Sequence, residues 1–209
     1  MKEIHCTDAI EWLTSRNQEA GDSMFASMPD ISEFNLSLPE WKSWFTQTAE
    51  LILTKTADDG VAIFYQSDIK IEGAWVDKSF LCQTAAEKTG HILLWHKIIC
   101  RAPAGAVTMG RPSYSHILCF SKNLRLDPGK SSADVLPEIG EKNWERGVGK
   151  NAALMIAKFL KDQTSTKVLI NPFCGQGMVL AAVDALGIDC IGIERSPKRA
   201  EKARELSIK

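Results

Sequence analysis

A glycine-containing loop and a more distant carboxylate are the residues of this chain whose types and spacing most directly suggest chemistry. The loop is the stretch from Asn171 to Gly177, NPFCGQG, which follows the apolar run VLI at 168–170. Its two glycines, Gly175 and Gly177, allow the backbone to approach a ligand closely. Glu194 follows the next apolar run, about 20 residues past the loop, where a carboxylate can accept hydrogen bonds from both hydroxyls of a ribose. Together these features predict a site for a nucleotide-like ligand.

The pattern around the loop narrows the kind of ligand. Val179 and Leu180 stand where the third glycine of the dinucleotide motif Gly-x-Gly-x-x-Gly would fall, and the Gly-Lys-Ser/Thr of a phosphate loop does not occur there. A ligand without a pyrophosphate, such as S-adenosyl-L-methionine, is therefore favoured. A Gly-x-Gly alone is often only a turn, and a carboxylate after a strand is often a solvated acid or a helix cap, so the prediction depends on the combination.

Polar side chains also follow other predicted strands. Because ligands in open α/β sheets lie beyond the carboxyl ends of the strands, these positions are further candidates. Asp8 follows the run at 2–6, and its carboxylate could accept a hydrogen bond from an adenine amino group. The stretch Ser27-Met28-Pro29-Asp30 follows the next run. Gln66, Ser67 and Asp68 come after VAIFY, where they would fit the floor of a pocket for a base.

Apolar runs alternate with helical patterns along most of the chain, which predicts an α/β fold with a doubly wound, mostly parallel sheet. The predicted strands are 2–6, 23–28, 60–67, 91–100, 115–122, 167–171 and 189–194, and the predicted helices are 8–16, 39–57, 76–89, 150–162, 178–186 and 197–206. No helix separates strands 91–100 and 115–122, so we expect a long hairpin and one antiparallel strand. The polar, turn-rich segment 123–146 is predicted to be a loop or mobile flap. Trp41, Trp44 and Phe45 repeat at helical spacing, which favours core packing.

Length and composition set the broad class of protein. The 209 residues suit one α/β domain, 1–209, and no apolar run approaches the ~20 residues needed to cross a bilayer. The first residues, MKEIHCTDAIEWL, carry acids where a signal peptide needs an apolar stretch. The six cysteines are scattered and form no Cys-x-x-Cys pair, so neither a metal site nor a disulfide framework is expected. We therefore expect a cytoplasmic protein without membrane contact.

The net charge of −1 conceals an uneven distribution along the chain. Residues 1–60 carry four basic and eleven acidic side chains, whereas residues 96–130 carry six basic and one acidic. This second segment could contact a phosphate backbone, although ordinary solvated surface explains so mild a bias equally well. The candidates for contact with a substrate are Lys97, Arg101, Arg111 and Tyr114, with Lys122 as a further base that could meet phosphate. For each of them, solvated surface or core packing is the alternative.

These motifs resemble those of a known family, the circularly permuted, β-type amino-methyltransferases that modify N6 of adenine or N4 of cytosine. In that family the glycine-loop motif usually reads Asp-Pro-Phe-x-Gly-x-Gly, which NPFCGQG matches with Asn171 in place of the aspartate. The stretch GIDCIGIERSPKRAEKAR at 187–204 is similar to the family's second motif, and IHCTDAIEWL at 4–13 has Asp8 at the position of a family aspartate. The stretches 93–122 and 144–160 look like the family's hairpin region and the helix that precedes the glycine loop.

The resemblance implies a class I methyltransferase fold, Rossmann-like and circularly permuted, in which the chain begins with the third strand of the fold and ends with the first two. It implies S-adenosyl-L-methionine as the cofactor. The cofactor-binding residues that it implies are Asp8, Asn171, Pro172, Phe173, Cys174, Gly175, Gly177 and Glu194. It also implies methyl transfer to a base nitrogen, with the enzyme acting mainly by positioning and without a metal.

The departure from the family lies at 27–30, where Ser-Met-Pro-Asp replaces Asp/Asn/Ser-Pro-Pro-aromatic. The resemblance implies that Ser27 and the main-chain carbonyl of Met28 accept hydrogen bonds from the target amino group, and that the family's aromatic residue stacks on a flipped-out base. Asp30 cannot stack, but its carboxylate could accept a proton from a ring nitrogen, such as N3 of uracil. The alternative is that Pro29 and Asp30 only form a turn and a helix cap.

These residues lead us to expect methylation of a base nitrogen in nucleic acid, with RNA slightly favoured over DNA. The preference for RNA comes from segment 123–146, which is too short for the target-recognition segment that DNA methylases of the family usually carry, so we expect recognition by shape or delivery by a partner. A small-molecule or protein methyltransferase, and an inactive cofactor-binding subunit of a complex, are the alternatives. A homodimer is also compatible with the sequence.

Overall fold

Ten strands and six α-helices form in residues 1–208, the part of the chain that the computed structural model describes. The strands are β1 (Lys2–His5), β2 (Asp22–Ala26), β3 (Ala62–Gln66), β4 (Ile69–Ile71), β5 (Ala74–Val76), β6 (Ile92–Cys100), β7 (Tyr114–Ser121), β8 (Val135–Leu136), β9 (Val168–Asn171) and β10 (Asp189–Ile193). The helices are α1 (Ala9–Ser15), α2 (Leu38–Thr54), α3 (Lys78–Lys88), α4 (Lys150–Gln163), α5 (Met178–Asp184) and α6 (Pro197–Glu205). Every strand and helix predicted from the sequence is present, with small differences at the ends.

The main sheet has the strand order β1-β10-β9-β2-β3-β7-β6-β8. Neighbouring strands are parallel except at β7, which runs antiparallel to both β3 and β6. The strands β9 and β10, which come late in the chain, lie between β1 and β2. The mostly parallel sheet, its one antiparallel strand and the permuted strand order are therefore confirmed.

Helices cover both faces of the main sheet, as a doubly wound fold requires. Residues of α4, α5 and α6 pack in one hydrophobic core, and residues of α1, α2 and α3 pack in a second. In α2, the side chains of Trp41, Phe45 and Ile52 are buried at helical spacing. The prediction of core packing is confirmed for Trp41 and Phe45. Trp44 is half-buried; it packs against the same core and also lines the cleft described below.

Two short strand elements were not predicted. The first is the β4–β5 hairpin, whose turn contains Glu72 and Gly73 at positive φ. Because this hairpin occupies 69–76, α3 begins only at Lys78, after Asp77 caps it by accepting a hydrogen bond from the N–H of Phe80 at 2.9 Å. The second is β8, which lies in the segment predicted to be a loop or flap and pairs with β6 at the edge of the sheet.

The parallel strands bring several loops together at one edge of the sheet. The carboxyl ends of β1, β2, β3, β9 and β10 meet there because these strands run in the same direction. The segments that follow them line a common cleft. None of the helices in residues 1–208 is long and apolar enough to cross a membrane.

Candidate functional site

The cleft at the carboxyl ends of the parallel strands has a volume of about 460 Å³. The predicted site residues that line it are Asp8, Ser27, Met28, Pro29, Asp30, Gln66, Arg101, Arg111, Asn171, Pro172, Phe173, Cys174, Gly175, Gly177 and Glu194. Seven basic and five acidic side chains line the cleft, so it is positive although the whole chain carries −1. The fold therefore gathers residues from both ends of the sequence into one basic site.

The glycine loop between β9 and α5 has a backbone that requires glycine at two positions. Gly175 and Gly177 have φ values of +56° and +80°, a region that other residues rarely adopt. A Cβ atom at 175 would lie 3.2 Å from the ring of Trp144, and one at 177 would lie 2.9 Å from the Cβ of Ala203. A side chain at 175 would therefore crowd Trp144, and one at 177 would crowd Ala203.

Asn171 and Cys174 fix the position of this loop. Asn171 is 2% exposed, and its side-chain oxygen accepts a hydrogen bond from the N–H of Phe173 at 3.2 Å. Because this contact needs only an acceptor, asparagine serves in place of the aspartate that the family usually has. The N–H of Cys174 donates to the carbonyl of Ile193 at 3.0 Å, which ties the loop to the end of β10.

Glu194 follows β10 directly and is 8% exposed. Its Oε1 accepts hydrogen bonds from the backbone N–H of Ser196 at 2.8 Å and from Nε of Arg199 at 3.0 Å. The guanidinium of Arg199 lies 5.4 Å from the centre of the Trp144 ring, a cation–π distance. These contacts use Oε1 and leave Oε2 for a ligand hydroxyl, so the alternative of a solvated surface acid does not fit Glu194.

Asp8 combines a structural role with its place in the cleft. Its Oδ1 accepts hydrogen bonds from the backbone N–H groups of Ile10 at 2.8 Å and Glu11 at 3.2 Å, so it caps α1. The second carboxylate oxygen remains for a ligand. Binding of an adenine amino group by Asp8 stays a prediction.

Asp30 is held by two cations. Its Oδ2 lies 3.1 Å from Nζ of Lys78 and 2.8 Å from Nη2 of Arg111. The side chains of Asp30 and Lys78 are 11% and 3% exposed. Burial acts to raise the pKa of Asp30, but the Lys78 ammonium and the Arg111 guanidinium together outweigh burial, and the pKa lies below its usual value.

These ion pairs weigh against the prediction that Asp30 accepts a proton as a general base. A carboxylate with a lowered pKa binds a proton weakly, and protonation would remove the charge that both cations require. Asp30 also begins a 3-10 turn at Ile31–Glu33, where its carbonyl accepts a hydrogen bond from the N–H of Glu33 at 2.9 Å. The alternative of a turn and helix start is the one that the geometry fits.

Lys78 depends on this carboxylate because its own position is unfavourable for a cation. It is the first residue of α3, where the helix dipole repels positive charge. Burial lowers the pKa of Lys78, and the neighbouring Asp30 carboxylate opposes that effect. Its Nζ also lies 5.5 Å from the centre of the Trp41 ring, which provides a second favourable contact.

Gln66 carries a hydrogen-bond donor that the protein does not use. The residue is 2% exposed, and within residues 1–208 its Nε2 is buried without a partner. A buried amide left unpaired costs about 1–3 kcal/mol, so such groups nearly always have a partner. The register of β2 and β3 pairs Ala26 with Phe64, and both Gln66 and the stretch that follows β2 line the cleft. Because Gln66 lines the cleft, this unpaired amide lies next to the candidate site.

Asp68 and Tyr114, both predicted to bind substrate, do not line the cleft. Asp68 accepts hydrogen bonds from Nε2 of His116 at 2.9 Å and from the N–H of Lys78 at 2.8 Å, so it supports the start of α3. The ring of Tyr114 packs edge-on against His116, with 5.3 Å between the ring centres. The ligand atoms of Asp68, Asp77 and His116 lie within 4.8 Å of one another, a spacing at which these groups could hold a metal ion.

Lys97 and Lys122 also lie away from the cleft. Nζ of Lys97 donates to the carbonyls of Ser132 and Ala133 at 3.0 and 2.9 Å, so this lysine anchors segment 123–146. Lys122 follows β7, the antiparallel strand, and therefore lies at the opposite edge of the sheet, where it pairs with Asp58 at 3.0 Å.

Lys78, Trp144 and Arg199 line the cleft but were not predicted as site residues. Trp144 carried a usable signal, because it opens the stretch that resembles the family's helix before the glycine loop. Arg199 lies in the first turn of the helix after Glu194, where a contact with that carboxylate could have been anticipated. Nothing local to Lys78 marks it, because its partner is distant in the sequence.

No protein-family model matches this sequence, and no curated protein matches it. Solved structures do match it. One is a protein from Thermus thermophilus, provisionally named as a DNA modification methylase, with a TM-score of 0.74, 16% identity, and coverage of 98% of this chain and 94% of that chain. The complex of that protein with S-adenosyl-L-methionine gives a TM-score of 0.73, 18% identity, and coverage of 98% and 92%. The cytosine-N4-specific PvuII DNA methyltransferase gives a TM-score of 0.73, 16% identity, and coverage of 99% and 86%.

The chain shares the fold of the Thermus protein and of the PvuII methyltransferase. The resemblance identified in the sequence is thereby confirmed at the level of the methyltransferase fold. In this fold the cleft has two halves, which we name by their residues. The glycine-loop half contains Asp8, the loop 171–177 and Glu194, and the acceptor half contains the stretch 27–30 with Gln66 and Arg111.

Proposed function

We propose that this chain is an S-adenosyl-L-methionine-dependent methyltransferase that acts on an exocyclic amino group of a nucleic-acid base, with DNA as the favoured substrate. The observation that carries the proposal is that the glycine loop and Glu194 share one basic cleft with Ser27 and the Met28 carbonyl. A site for a ribose-containing ligand thus adjoins two hydrogen-bond acceptors. The solved structures of the same fold, one of them in complex with S-adenosyl-L-methionine, support the proposal.

The glycine-loop half fits the cofactor in shape and in chemistry. Gly175 and Gly177 carry no side chain and adopt positive φ, so the backbone of the loop can approach the ligand closely. The buried carboxylate of Glu194 would accept hydrogen bonds from the ribose hydroxyls, and Asp8 would accept from the adenine amino group. Trp144, next to Gly175, would shield this side from water. When bound, the cofactor supplies a methyl group already activated on a sulfonium.

The acceptor half would position the nucleophile. Ser27 and the Met28 carbonyl can accept the two hydrogens of an amino group and so direct its nitrogen lone pair toward the methyl carbon. The N–C bond forms as the C–S bond breaks, its electron pair stays on sulfur, and one proton leaves the nitrogen for solvent. A ring N–H is less suited to this site, because its proton would have to leave first and Asp30 is engaged with Lys78 and Arg111.

DNA replaces RNA as the favoured substrate. The PvuII enzyme is named as a DNA methyltransferase, and the Thermus protein is provisionally named as a DNA modification methylase. The argument for RNA from the short segment 123–146 loses force, because this chain covers 94% of the Thermus protein, which therefore carries little more than the same fold. The basic cleft suits a phosphate backbone of either kind.

The experiment has two steps on the purified chain. Titration calorimetry measures binding of S-adenosyl-L-methionine to the wild type, to Glu194→Gln and to Glu201→Gln, a matched control because Glu201 is an exposed acid on the next helix. Transfer of labelled methyl groups to bulk DNA, tRNA and rRNA is then followed by mass spectrometry of the nucleosides. We expect binding to the wild type and the control, weaker binding to Glu194→Gln, and label in DNA on N6 of adenine or N4 of cytosine.

Other outcomes change the proposal in defined ways. Label in RNA alone would keep the reaction and correct the substrate. Cofactor binding without transfer to any nucleic acid would favour an inactive subunit or a small-molecule or protein substrate. No binding of S-adenosyl-L-methionine to the wild type would refute the proposal.

A further inference from the structure

An arginine pairs with Asp30, the residue at the sequence position where the resembling family has an aromatic ring. Asp30 stands at the fourth position of the stretch 27–30, the aromatic position in that family. Its Oδ2 is 2.8 Å from Nη2 of Arg111, which comes from the loop between β6 and β7. Both residues line the cleft. Asp30 therefore holds a planar guanidinium beside itself in the cleft.

Arg111 is held at both ends of its side chain. The carbonyl of Gly110 accepts a hydrogen bond from the N–H of Lys70 on β4 at 3.0 Å, and the carbonyl of Arg111 accepts one from Oγ1 of Thr108 at 2.7 Å. These contacts hold the backbone, and Asp30 holds the guanidinium. A side chain fixed in this way has little rotamer freedom left to lose when a ligand binds.

The exposure of the three charged groups shows which one a ligand can reach. The side chain of Lys78 is 3% exposed and that of Asp30 is 11% exposed, whereas that of Arg111 is 43% exposed. Lys78 and Asp30 therefore form the buried part of this cluster, and the side chain of Arg111 is its exposed part. Two cations on one carboxylate also leave a net positive charge at this position.

We propose that Arg111, held by Asp30, is the platform on which the target base stacks. The inference rests on the proposed function, because it needs a base that leaves its helix and enters the cleft. A guanidinium is planar and delocalised, and it stacks on the faces of nucleobases and aromatic rings. In this arrangement Asp30 is a positioning residue, and the departure of the stretch 27–30 from the family is a substitution of one stacking surface by another.

A phosphate contact is the competing role for Arg111, and one measurement separates the two roles. The probe is a synthetic duplex of the sequence that the wild type methylates, with the target base either intact or replaced by an abasic site. A phosphate contact persists when the base is removed, whereas a stacking contact is lost. The preference for the intact duplex over the abasic one therefore reports contacts with the base.

Arg111→Lys is the decisive variant, because it keeps the charge and can keep the pair with Asp30 but has no planar face. We expect its preference for the intact duplex to be about tenfold lower than that of the wild type, the scale of one stacked base. The free-energy cost of removing the base from the helix is the same for the wild type and for Arg111→Lys. It therefore cancels when their preferences for the intact duplex are compared. Asp30→Asn should lower the preference in the same direction, because it releases Arg111.

Lys142→Ala provides the matched control. Lys142 also lines the cleft, but its Nζ donates to the carbonyl of Glu145. This variant should bind both duplexes more weakly and keep the wild-type preference. Calorimetry with S-adenosyl-L-methionine should give the wild-type Kd for Arg111→Lys and Lys142→Ala, which shows that the glycine-loop half is intact.

Two results would overturn the stacking role and leave methyl transfer standing. One is an unchanged preference in Arg111→Lys, and the other is an equal loss of affinity for the two duplexes, which would assign Arg111 to a phosphate. A wild type that transfers no methyl group to any nucleic acid would overturn the proposed function and this inference together.

Discussion

Replacing Asp30 by asparagine should destabilise the protein, because it leaves the ammonium of Lys78 buried without a counter-charge. The two groups are 3.1 Å apart, and the lysine side chain is 3% exposed. Removing one partner of a buried ion pair costs about 3–5 kcal/mol, and asparagine retains an acceptor for Lys78, so we expect about 3 kcal/mol. Arg111 adds little to this figure, because its side chain is 43% exposed and solvent screens the pair.

Thermal unfolding at neutral pH measures the effect. For a chain of this length, 1 kcal/mol shifts the Tm by about 2–4 °C, so Asp30→Asn should unfold about 6–12 °C below the wild type. Glu50→Gln is the control, because it breaks the exposed pair between Glu50 and Lys88 and should change stability by less than about 0.5 kcal/mol. The double variant Asp30→Asn with Lys78→Met should recover most of the loss, because it also removes the buried ammonium that had paired with Asp30.

The contribution of Asp30 to the stability of the fold depends on pH with a definite sign. The pKa of Asp30 in the folded protein lies below its usual value, because Lys78 and Arg111 outweigh the effect of burial. The ionised carboxylate therefore stabilises the fold at pH values above the unfolded pKa of about 4, and this stabilisation is lost as the pH falls through the folded pKa. The stability difference between wild type and Asp30→Asn should be large at neutral pH and shrink in acid. A Tm within 2 °C, roughly the shift of a surface substitution, or a double variant no better than Asp30→Asn, would refute the dependence of Lys78 on Asp30.

Three further predictions concern the cleft and the thiols. Glu194→Gln should weaken binding of S-adenosyl-L-methionine by about tenfold, because a neutral amide accepts less well from ribose hydroxyls, and unchanged calorimetric affinity would exclude Glu194 from the site. Gln66→Leu should raise KM for nucleic acid by about fivefold with cofactor affinity unchanged, because it removes the donor Nε2, and unaltered steady-state kinetics would show that substrate does not use this donor. Cys6 is exposed and should react with a thiol reagent in the native protein. Cys174 and Cys190 should react only after unfolding, because burial raises the pKa of each to about 12, and labelling of either in the native protein would contradict the structure.

The strands and the glycine loop could be predicted because they depend on residues that are close in the sequence. The apolar run at 168–170, the glycines at 175 and 177 and the acid at 194 each follow local rules of strand, turn and strand end. Parallel strand direction then places such residues at the same edge of the sheet. Lys122 does not share that edge, because the second strand of a hairpin ends at the opposite edge, and its contact with phosphate stays a prediction.

The environment of Asp30 could not be predicted, because its partners are distant in the sequence. Lys78 is 48 positions away and Arg111 is 81 positions away. Neither residue has a local pattern that marks it as a partner of a carboxylate. The hairpin β4–β5, which holds the loop of Arg111, has strands of three residues, too short for an alternation of apolar and polar side chains to be recognised.

The permuted strand order also decides when the cleft can form during synthesis. Lys2 of β1 pairs with Cys190 of β10, so β1 leaves the ribosome long before the strand that joins it to the sheet. Strands β2, β3, β6 and β7 are adjacent in space and complete once Ser121 has been made, so this half can assemble early. Until β9 arrives, the edge of β2 is open to pairing with another chain. The nascent protein therefore covers the open edge of β2 with the same strand, β9, that leads into the glycine loop, and the ligand site is complete only when β10 and Glu194 have followed.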